Sequence, residues 1–147
     1  MFKIDIHTHI LPENLNEVTN SFSDPRFLRI DSIDGKSAML KKDGVAFRKV
    51  GCNCWNHKTR IPECDDTQVN VQVLSTIPVL FSYWADKTEC NHLSQFLNNH
   101  IANICKLEPT RFIGLGTIPM QDVELAIAEI DRCINELNLP GIVIGSN

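Results

Sequence analysis

The sequence lacks the features that mark secreted, membrane-spanning and nucleic-acid-binding proteins. No segment approaches the roughly 18 uninterrupted apolar residues of a membrane helix. The first residues do not combine a basic start with a long apolar run, so the sequence predicts no signal peptide. Lysine and arginine form no cluster, and the net charge of −4 argues against nucleic acid or a membrane surface as a partner. The cytosol is therefore the expected location.

Internal repeats and low-complexity linkers are also lacking, and the six cysteines do not have the spacing of a secreted disulfide framework. We therefore expect reduced thiols. The 147 residues, 43% hydrophobic and 22% charged, suit one ordinary domain with a core. One grouping resembles a zinc cluster: Cys52, Cys54, His57 and Cys64. A zinc site there is the less favoured interpretation, because a one-residue gap between two cysteines makes joint chelation awkward.

What the sequence does contain is a distinctive stretch at residues 4–9 (IDIHTH), in a first strand predicted over residues 3–8. Strict alternation would place Asp5, His7 and His9 on one face and the isoleucines on the other, against helices. Histidines two residues apart on one face have Cα atoms about 7 Å apart, close enough to share one metal ion. The alternative is a surface strand with two solvated histidines, which its apolar content makes less favoured.

An antiparallel insertion is predicted after the first strand. Two Asp-Gly turns, at 34–35 and 43–44, separate short apolar runs and are typical of hairpins, so residues 27–51 should form a small meander. A short helix near 13–20 precedes it. The meander is too small to hold its own core, so we expect an insertion at about 13–55 within one domain spanning 1–147.

Helices and strands alternate from residue 57 onward. The predicted elements are a helix at 57–67 with Pro62 in its first turn or at a kink, strands at 69–75, 111–116 and 142–145, and two helices capped by Asp86 and Asp122. The apolar stripe of the first capped helix is Leu93, Phe96, Leu97, Ile101 and Ile104, and that of the second is Val123, Ala126, Ile127, Ile130, Ile134 and Leu137. This order predicts a parallel sheet, either open or closed into a barrel.

The candidate site lies where these parallel strands end. His7 and His9 end the first strand, and segments 76–84 and 117–120 follow the second and third, so all converge on one rim. Arg48 on the meander is either a solvated edge residue or a clamp for a substrate carboxylate. Phe81 and Trp84 are either a lid over the helices or the wall of a substrate pocket.

Several blocks carry a resemblance that covers residues 3–145. They are KIDIHTHILP (3–12), DGVAFR (43–48), NCW (53–55), VQVLSTIPVLFSYWA (71–85), RFIGLGTIPMQ (111–121) and PGIVIG (140–145). Together they resemble the metal-dependent decarboxylases of the amidohydrolase superfamily, in particular those of tryptophan degradation by the kynurenine route. Other decarboxylases of this superfamily, acting on aromatic acids, share the first block and remain the alternative.

The resemblance implies a (β/α)8 barrel with a small inserted domain and one zinc ion, Zn2+, at its rim. His7 and His9 match two zinc ligands, Arg48 matches an arginine that binds substrate carboxylate, and Phe81 and Trp84 fall in the block expected to contact substrate. A small molecule would lose CO2 without an oxidant, through a metal-activated water, on a path that leads away from quinolinate. The family is homodimeric, with an arginine reaching in from the partner chain.

The departures from the family concern what this sequence does not contain. A complete barrel takes about 250 residues, so the expected fold is a truncated (β/α)8 barrel with four of its strands. A further histidine and an aspartate that bind zinc, the catalytic histidine and the partner-chain arginine have no counterpart here, so the chain alone should be inactive. It could be a fragment, a short isoform, a decayed gene product or a non-catalytic half-barrel that pairs with a full-length subunit. Gln68 stands where the family usually has a helix-ending glycine.

Overall fold

The strands form two separate three-stranded sheets in the computed structural model, which describes residues 1–32 and 34–146. The strands are β1 (Ile4–His9), β2 (Arg29–Ser32), β3 (Ser37–Lys42), β4 (Val45–Gly51), β5 (Val71–Ser75) and β6 (Phe112–Gly114). The helices are α1 (Asn16–Thr19), α2 (His57–Asp66), α3 (Lys87–Leu107) and α4 (Val123–Asn135). Single 3-10 turns lie at Cys52–Cys54 and Pro78–Leu80. Within the described ranges, no helix is long and apolar enough to cross a membrane.

The first sheet is parallel, in the order β1-β5-β6, and helices connect its strands. Both predicted caps are confirmed: Asp86 accepts hydrogen bonds from the backbone N–H groups of Thr88 and Glu89, and Asp122 accepts one from Leu125. These bonds satisfy N–H groups that a helix start leaves without partners. The predicted alternation of strands and helices around a parallel sheet is therefore confirmed for three strands.

The predicted fourth strand at 142–145 is reduced to a single parallel bridge between Gly116 and Ile142. Gly116 donates to the Gly141 carbonyl at 3.0 Å, and Val143 donates to the Gly116 carbonyl at 2.8 Å. Strand pairing does not extend beyond this one bridge, because β6 itself ends at Gly114.

The second sheet is the predicted antiparallel meander, in the order β2-β3-β4. Asp43 and Gly44 both have positive φ, 55° and 72°, as a two-residue hairpin turn of type I′ requires. Gly35 also has a positive φ, of 71°. Ile33, inside the predicted meander, lies outside the described residues.

The buried side chains form two clusters that share α3. The first joins the meander and α1 to the first half of α3, through Phe27, Leu28, Leu40, Leu93 and Leu97 among others. The second joins the parallel sheet to the second half of α3 and to α4, through Leu74, Ile101, Ile104, Phe112 and Cys133 among others. The predicted stripe of α3 is thus buried except at Phe96, which is partly buried. Helix α3 therefore packs against both the meander and the parallel sheet.

A β-bulge changes the faces of β1. Four pairs define its register with β5: Ile4 with Val71, Asp5 with Gln72, Thr8 with Leu74, and His9 with Ser75. One extra residue therefore lies in β1 between the second and third pairs. Since alternate residues of β5 share a face, Ile4 and His9 lie on the same face, and Asp5 lies on the opposite face with Thr8. The prediction that Asp5 shares a face with the histidines is wrong, because the bulge reverses the alternation.

The same bulge overturns the prediction that the isoleucines of β1 pack against helices. Ile4 and Ile6 are 49% and 76% exposed, and Ile113 on β6 is 39% exposed. We call these three residues the inner face, since Ile4 and Ile113 lie on the side of the sheet opposite α3 and α4. In a complete barrel this side of the strands is packed with side chains, whereas here the three residues are exposed.

The predicted stripe of α4 is wrong for three isoleucine and valine positions. Val123, Ile127 and Ile134 are exposed, whereas the buried residues of this helix are Ala126, Glu129 and Cys133. The Glu129 carboxylate accepts hydrogen bonds from Asn98 of α3 at 2.7 Å and from Arg132 at 2.7 and 2.8 Å. These bonds compensate for its burial, so a charged residue takes the contact with α3 that the periodicity assigns to isoleucine.

Helix α2 carries two features that the sequence singles out. Pro62 lies in its second turn and not in the first, so the helix forgoes the hydrogen bond that residue 62 would donate. Gln68 follows the helix with a φ of 59°, which is the left-handed conformation expected where the family usually has glycine.

Candidate metal centre

His7 and His9 lie at the carboxyl end of β1, where the parallel strands of a barrel place their functional residues. Their ring centroids are 4.8 Å apart and their planes meet at 79°. Both rings line a cavity of about 700 Å³. The structure thus brings the two predicted ligands together on one side of the sheet, at a separation that one metal ion can bridge.

The His9 ring contacts the last residue of β5. Ser75 Oγ lies 3.0 Å from His9 Nδ1 and donates a hydrogen bond to the Thr8 carbonyl oxygen at 3.2 Å. Burial and then the neighbouring His7 lower the pKa of His9 below its ordinary value; a backbone hydrogen bond with Thr76 opposes them, and the charge of Arg60 adds to them. A lowered pKa favours the neutral imidazole, which is the form that binds metal.

The backbone of His9 is held by Arg60 of α2, a residue that the sequence analysis did not single out. The half-buried guanidinium donates to the carbonyl oxygens of His9 and Asn53 and to Gln72 Oε1. Burial lowers the pKa of Arg60. Because its partners come from three separate segments of the chain, no local sequence pattern could have revealed this role.

Two predicted substrate-binding residues line the same cavity as the histidines. Phe81 is stacked on Tyr83, with ring centroids 5.5 Å apart and planes within 6° of parallel. Trp84 is 38% exposed and packs on Phe27 with a centroid distance of 5.0 Å. Phe81 and Trp84 therefore form part of the wall of this cavity.

Two cations lie near these aromatic walls. The Arg26 guanidinium lies 4.1 Å from the Trp84 ring centroid, on its face, and also pairs with Asp24. Lys42, at the end of β3, lines the cavity with the histidines. Lys42 was not predicted from the sequence, although its place beside the Asp43-Gly44 turn puts it near Arg48.

Arg48 lines a neighbouring cavity of about 440 Å³, whose other walls are mostly apolar and which also includes His9. A second β-bulge accounts for this position. Leu40 of β3 pairs with Arg48 and Lys41 pairs with Ala46, so Phe47 is an extra residue in β4. Strict alternation would have paired Phe47 with Leu40 and turned Arg48 to the other face of the meander. Arg48 is exposed, and none of the ion pairs found among the described residues includes it.

The donor set at this centre consists of two imidazoles. Across the described residues, no three His, Cys, Asp or Glu side chains come close enough together to hold a metal ion. Among these residues, the grouping of Cys52, Cys54, His57 and Cys64 does not come together as such a set. Imidazole nitrogen suits zinc and other transition metals, so His7 and His9 fit the chemistry of part of a metal centre.

The fold and this site together define an α/β unit with a histidine pair at the end of its first parallel strand. No family model matches the chain. Its structure superposes on a manganese-bound 5-carboxyvanillate decarboxylase from Novosphingobium aromaticivorans with a TM-score of 0.73 and 21% identity, covering 99% of this chain and 42% of that one. At this identity the superposition shows the fold alone, which this chain shares with about two fifths of that protein.

Two curated relatives carry the comparison further. The chain is 46% identical over 145 residues to 2-amino-3-carboxymuconate-6-semialdehyde decarboxylase of Dictyostelium discoideum, covering 99% of this chain and 40% of the relative. It is 34% identical over 165 residues to the enzyme of the same name from Caenorhabditis elegans, covering 99% and 41%. The resemblance to decarboxylases of the amidohydrolase superfamily is thus confirmed. The chain spans about two fifths of the length of these relatives.

Proposed function

We propose that this chain is the part of a zinc-dependent, non-oxidative decarboxylase that holds two metal ligands and one wall of the substrate pocket. The substrate would be 2-amino-3-carboxymuconate 6-semialdehyde and the product 2-aminomuconate 6-semialdehyde. The observation that carries the proposal is the pairing of His7 and His9, whose ring centroids are 4.8 Å apart, beside a cavity lined by Phe81 and Trp84. The names of the two curated relatives support this choice of substrate.

His7 and His9 are the residues that would hold the metal. When bound, a zinc ion supplies Lewis acidity and a water nucleophile at neutral pH. A catalytic zinc site ordinarily has three protein ligands, and this chain contributes two. We therefore expect the chain alone to bind a metal weakly and to be inactive as a decarboxylase.

The remaining site residues suit a substrate that carries carboxylates. The Arg48 guanidinium can pair with a carboxylate through two parallel hydrogen bonds. The Lys42 ammonium supplies a second positive charge at the wall of the adjoining cavity. Phe81 and Trp84 offer aromatic faces to the conjugated carbon chain of the substrate and help to exclude water.

Further parts of the proposal rest on the resemblance. The enzyme would act in tryptophan degradation, on a path that leads away from quinolinate. It would be a homodimer, with one arginine of each site supplied by the partner chain.

A chimera tests the proposed activity. The matching segment of the Dictyostelium relative is replaced by this chain, and decarboxylation is followed with 2-amino-3-carboxymuconate 6-semialdehyde and, separately, with 5-carboxyvanillate. The proposal predicts turnover of the semialdehyde, loss of turnover with His7→Ala, and retention with His92→Ala, which alters an exposed histidine of α3. Turnover of the aromatic acid alone would favour the alternative substrate class. A folded chimera that is inactive on both substrates would contradict the proposal.

The exposed inner face favours a second function, that of a non-catalytic half-barrel which pairs with a full-length subunit. Ile4, Ile6 and Ile113 present an apolar surface of a kind that isolated proteins usually cover. Co-expression with the full-length enzyme tests this function. Co-purification that is abolished by Ile113→Lys would support it, and a chain that purifies alone would remove it.

A further inference from the structure

Ser75 contacts the His9 ring and has no part in the activity proposed above. It is the last residue of β5, is 6% exposed, and pairs in register with His9 of β1. Its hydroxyl oxygen lies 3.0 Å from His9 Nδ1 and 3.2 Å from the Thr8 carbonyl oxygen. Both neighbours belong to the end of β1, so this one hydroxyl ties the backbone of that strand to the histidine ring.

The chemistry of the three groups selects one tautomer of His9. A carbonyl oxygen only accepts hydrogen bonds, and a serine hydroxyl has one proton to donate. If that proton goes to Thr8, the contact with His9 is a hydrogen bond only when the imidazole donates through Nδ1. If instead Nδ1 carried the lone pair, two acceptors would compete for the single Ser75 proton, and one of them would lose its bond to the hydroxyl in a partly buried place.

We propose that Ser75 is a positioning residue that fixes His9 as the Nδ1–H tautomer and leaves Nε2 as the donor to a metal ion. The tautomer follows from contacts within this chain alone, whereas its benefit to metal binding rests on the proposed function. Histidine ligands of metal sites commonly donate their second ring nitrogen to a neighbouring group, which fixes their orientation.

Two groups act on the His9 ring itself, the Ser75 hydroxyl and a backbone hydrogen bond with Thr76, and Ser75 is the one that a substitution can remove. The Arg60 guanidinium already holds the His9 carbonyl, and parallel pairing with β5 holds the rest of the strand end. Rotation of the imidazole about its side-chain bonds is the freedom that remains. A hydrogen bond to Nδ1 restricts that rotation and sets the protonation pattern at once.

Nitrogen NMR on the 147-residue chain tests the tautomer directly. Two-bond proton–nitrogen spectra distinguish the protonated from the unprotonated ring nitrogen, and His9→Gln assigns the signals. They are recorded above the ordinary pKa of imidazole, so that the ring is neutral. The wild type is expected as the Nδ1–H form. Ser75→Ala should populate the Nε2–H form, and Ser75→Thr, which keeps the hydroxyl, should restore the wild-type pattern.

Cobalt binding gives the second measurement, because the colour of Co2+ reports ligation without any enzymatic activity. Ser75→Ala should weaken Co2+ binding by roughly tenfold, in the range found when outer partners of ligands are removed. Ser94→Ala, at a buried serine of α3, is the matched control and should change neither measurement.

The outcomes separate this inference from the proposed function. An Nδ1–H tautomer in the wild type that survives Ser75→Ala would overturn the role of Ser75, as would an Nε2–H tautomer in the wild type. A wild-type chain that shows the Ser75-dependent tautomer but binds no Co2+ would contradict the proposed metal centre and leave the role of Ser75 in fixing the tautomer intact.

Discussion

The stability of this chain should fall as the pH drops from neutral toward 4, because of His100 on α3. The Nε2 atom of His100 is buried and has no hydrogen-bond partner among the described residues. Burial, and then the neighbouring His57, lower the pKa of His100 from 6.5 to about 4. The folded state therefore binds fewer protons than the unfolded state between these two values, and acid favours unfolding.

The magnitude follows from the difference between the two pKa values. Each pH unit between them costs up to about 1.4 kcal/mol of unfolding free energy, so the full loss is about 3 kcal/mol. This contribution to stability is complete above pH 6.5 and is lost progressively as the pH falls to about 4. Carboxylates held by hydrogen bonds, such as Asp86, lose their contribution at lower pH, because their pKa values lie below 3.8.

Urea unfolding at a series of pH values between these limits measures the effect. His100→Leu removes the titrating group and should flatten most of the decline, whereas His92→Leu on the exposed side of the same helix should leave it unchanged. Equal slopes in the wild type and His100→Leu would refute the account of His100. So would a wild type whose unfolding free energy stays constant across the window.

Three further substitutions test other parts of the structure. Gly114→Ala would place a Cβ 2.5 Å from Ile101 Cγ2, so urea unfolding should show a loss of about 1–3 kcal/mol; an unchanged stability would contradict this packing. Gln68 has a left-handed backbone conformation that costs about 1–2 kcal/mol, and Gln68→Gly removes this cost but gives the unfolded chain more conformational freedom. The free energy of unfolding should therefore rise by about 0.5 kcal/mol in the same assay, and a decrease would refute the strain. Arg60→Met should weaken Co2+ binding roughly tenfold, while Arg111→Ala, at the opposite end of β5, should not; equal effects would deny Arg60 a specific role.

Local sequence signals predicted much of this fold. Asp86 and Asp122 cap helices because a carboxylate bonds backbone N–H groups only two or three residues away, so the interaction is visible in the sequence. The Asp43-Gly44 turn is equally local. The strand end bearing His7 and His9 was also predicted correctly.

Features that depend on pairing between distant segments were not predictable. The bulges in β1 and β4 reverse the alternation of side chains, and each arises from the register with a partner strand. They turn Asp5 away from the candidate metal centre and bring Arg48 toward it. Burial of Glu129 likewise depends on Asn98, which lies 31 residues away in the sequence. Periodicity alone gives no sign of such partners.

Metal titration of the chain tests the central claim, that His7 and His9 form part of a metal centre. Isothermal titration with Co2+ or Zn2+ is carried out on the wild type, on His7→Ala, on His9→Ala and on His92→Ala as the matched control. The account predicts one weak site per chain in the wild type and in His92→Ala, and no binding when either site histidine is replaced. A wild type that binds no metal, or binding that survives both replacements, would contradict it.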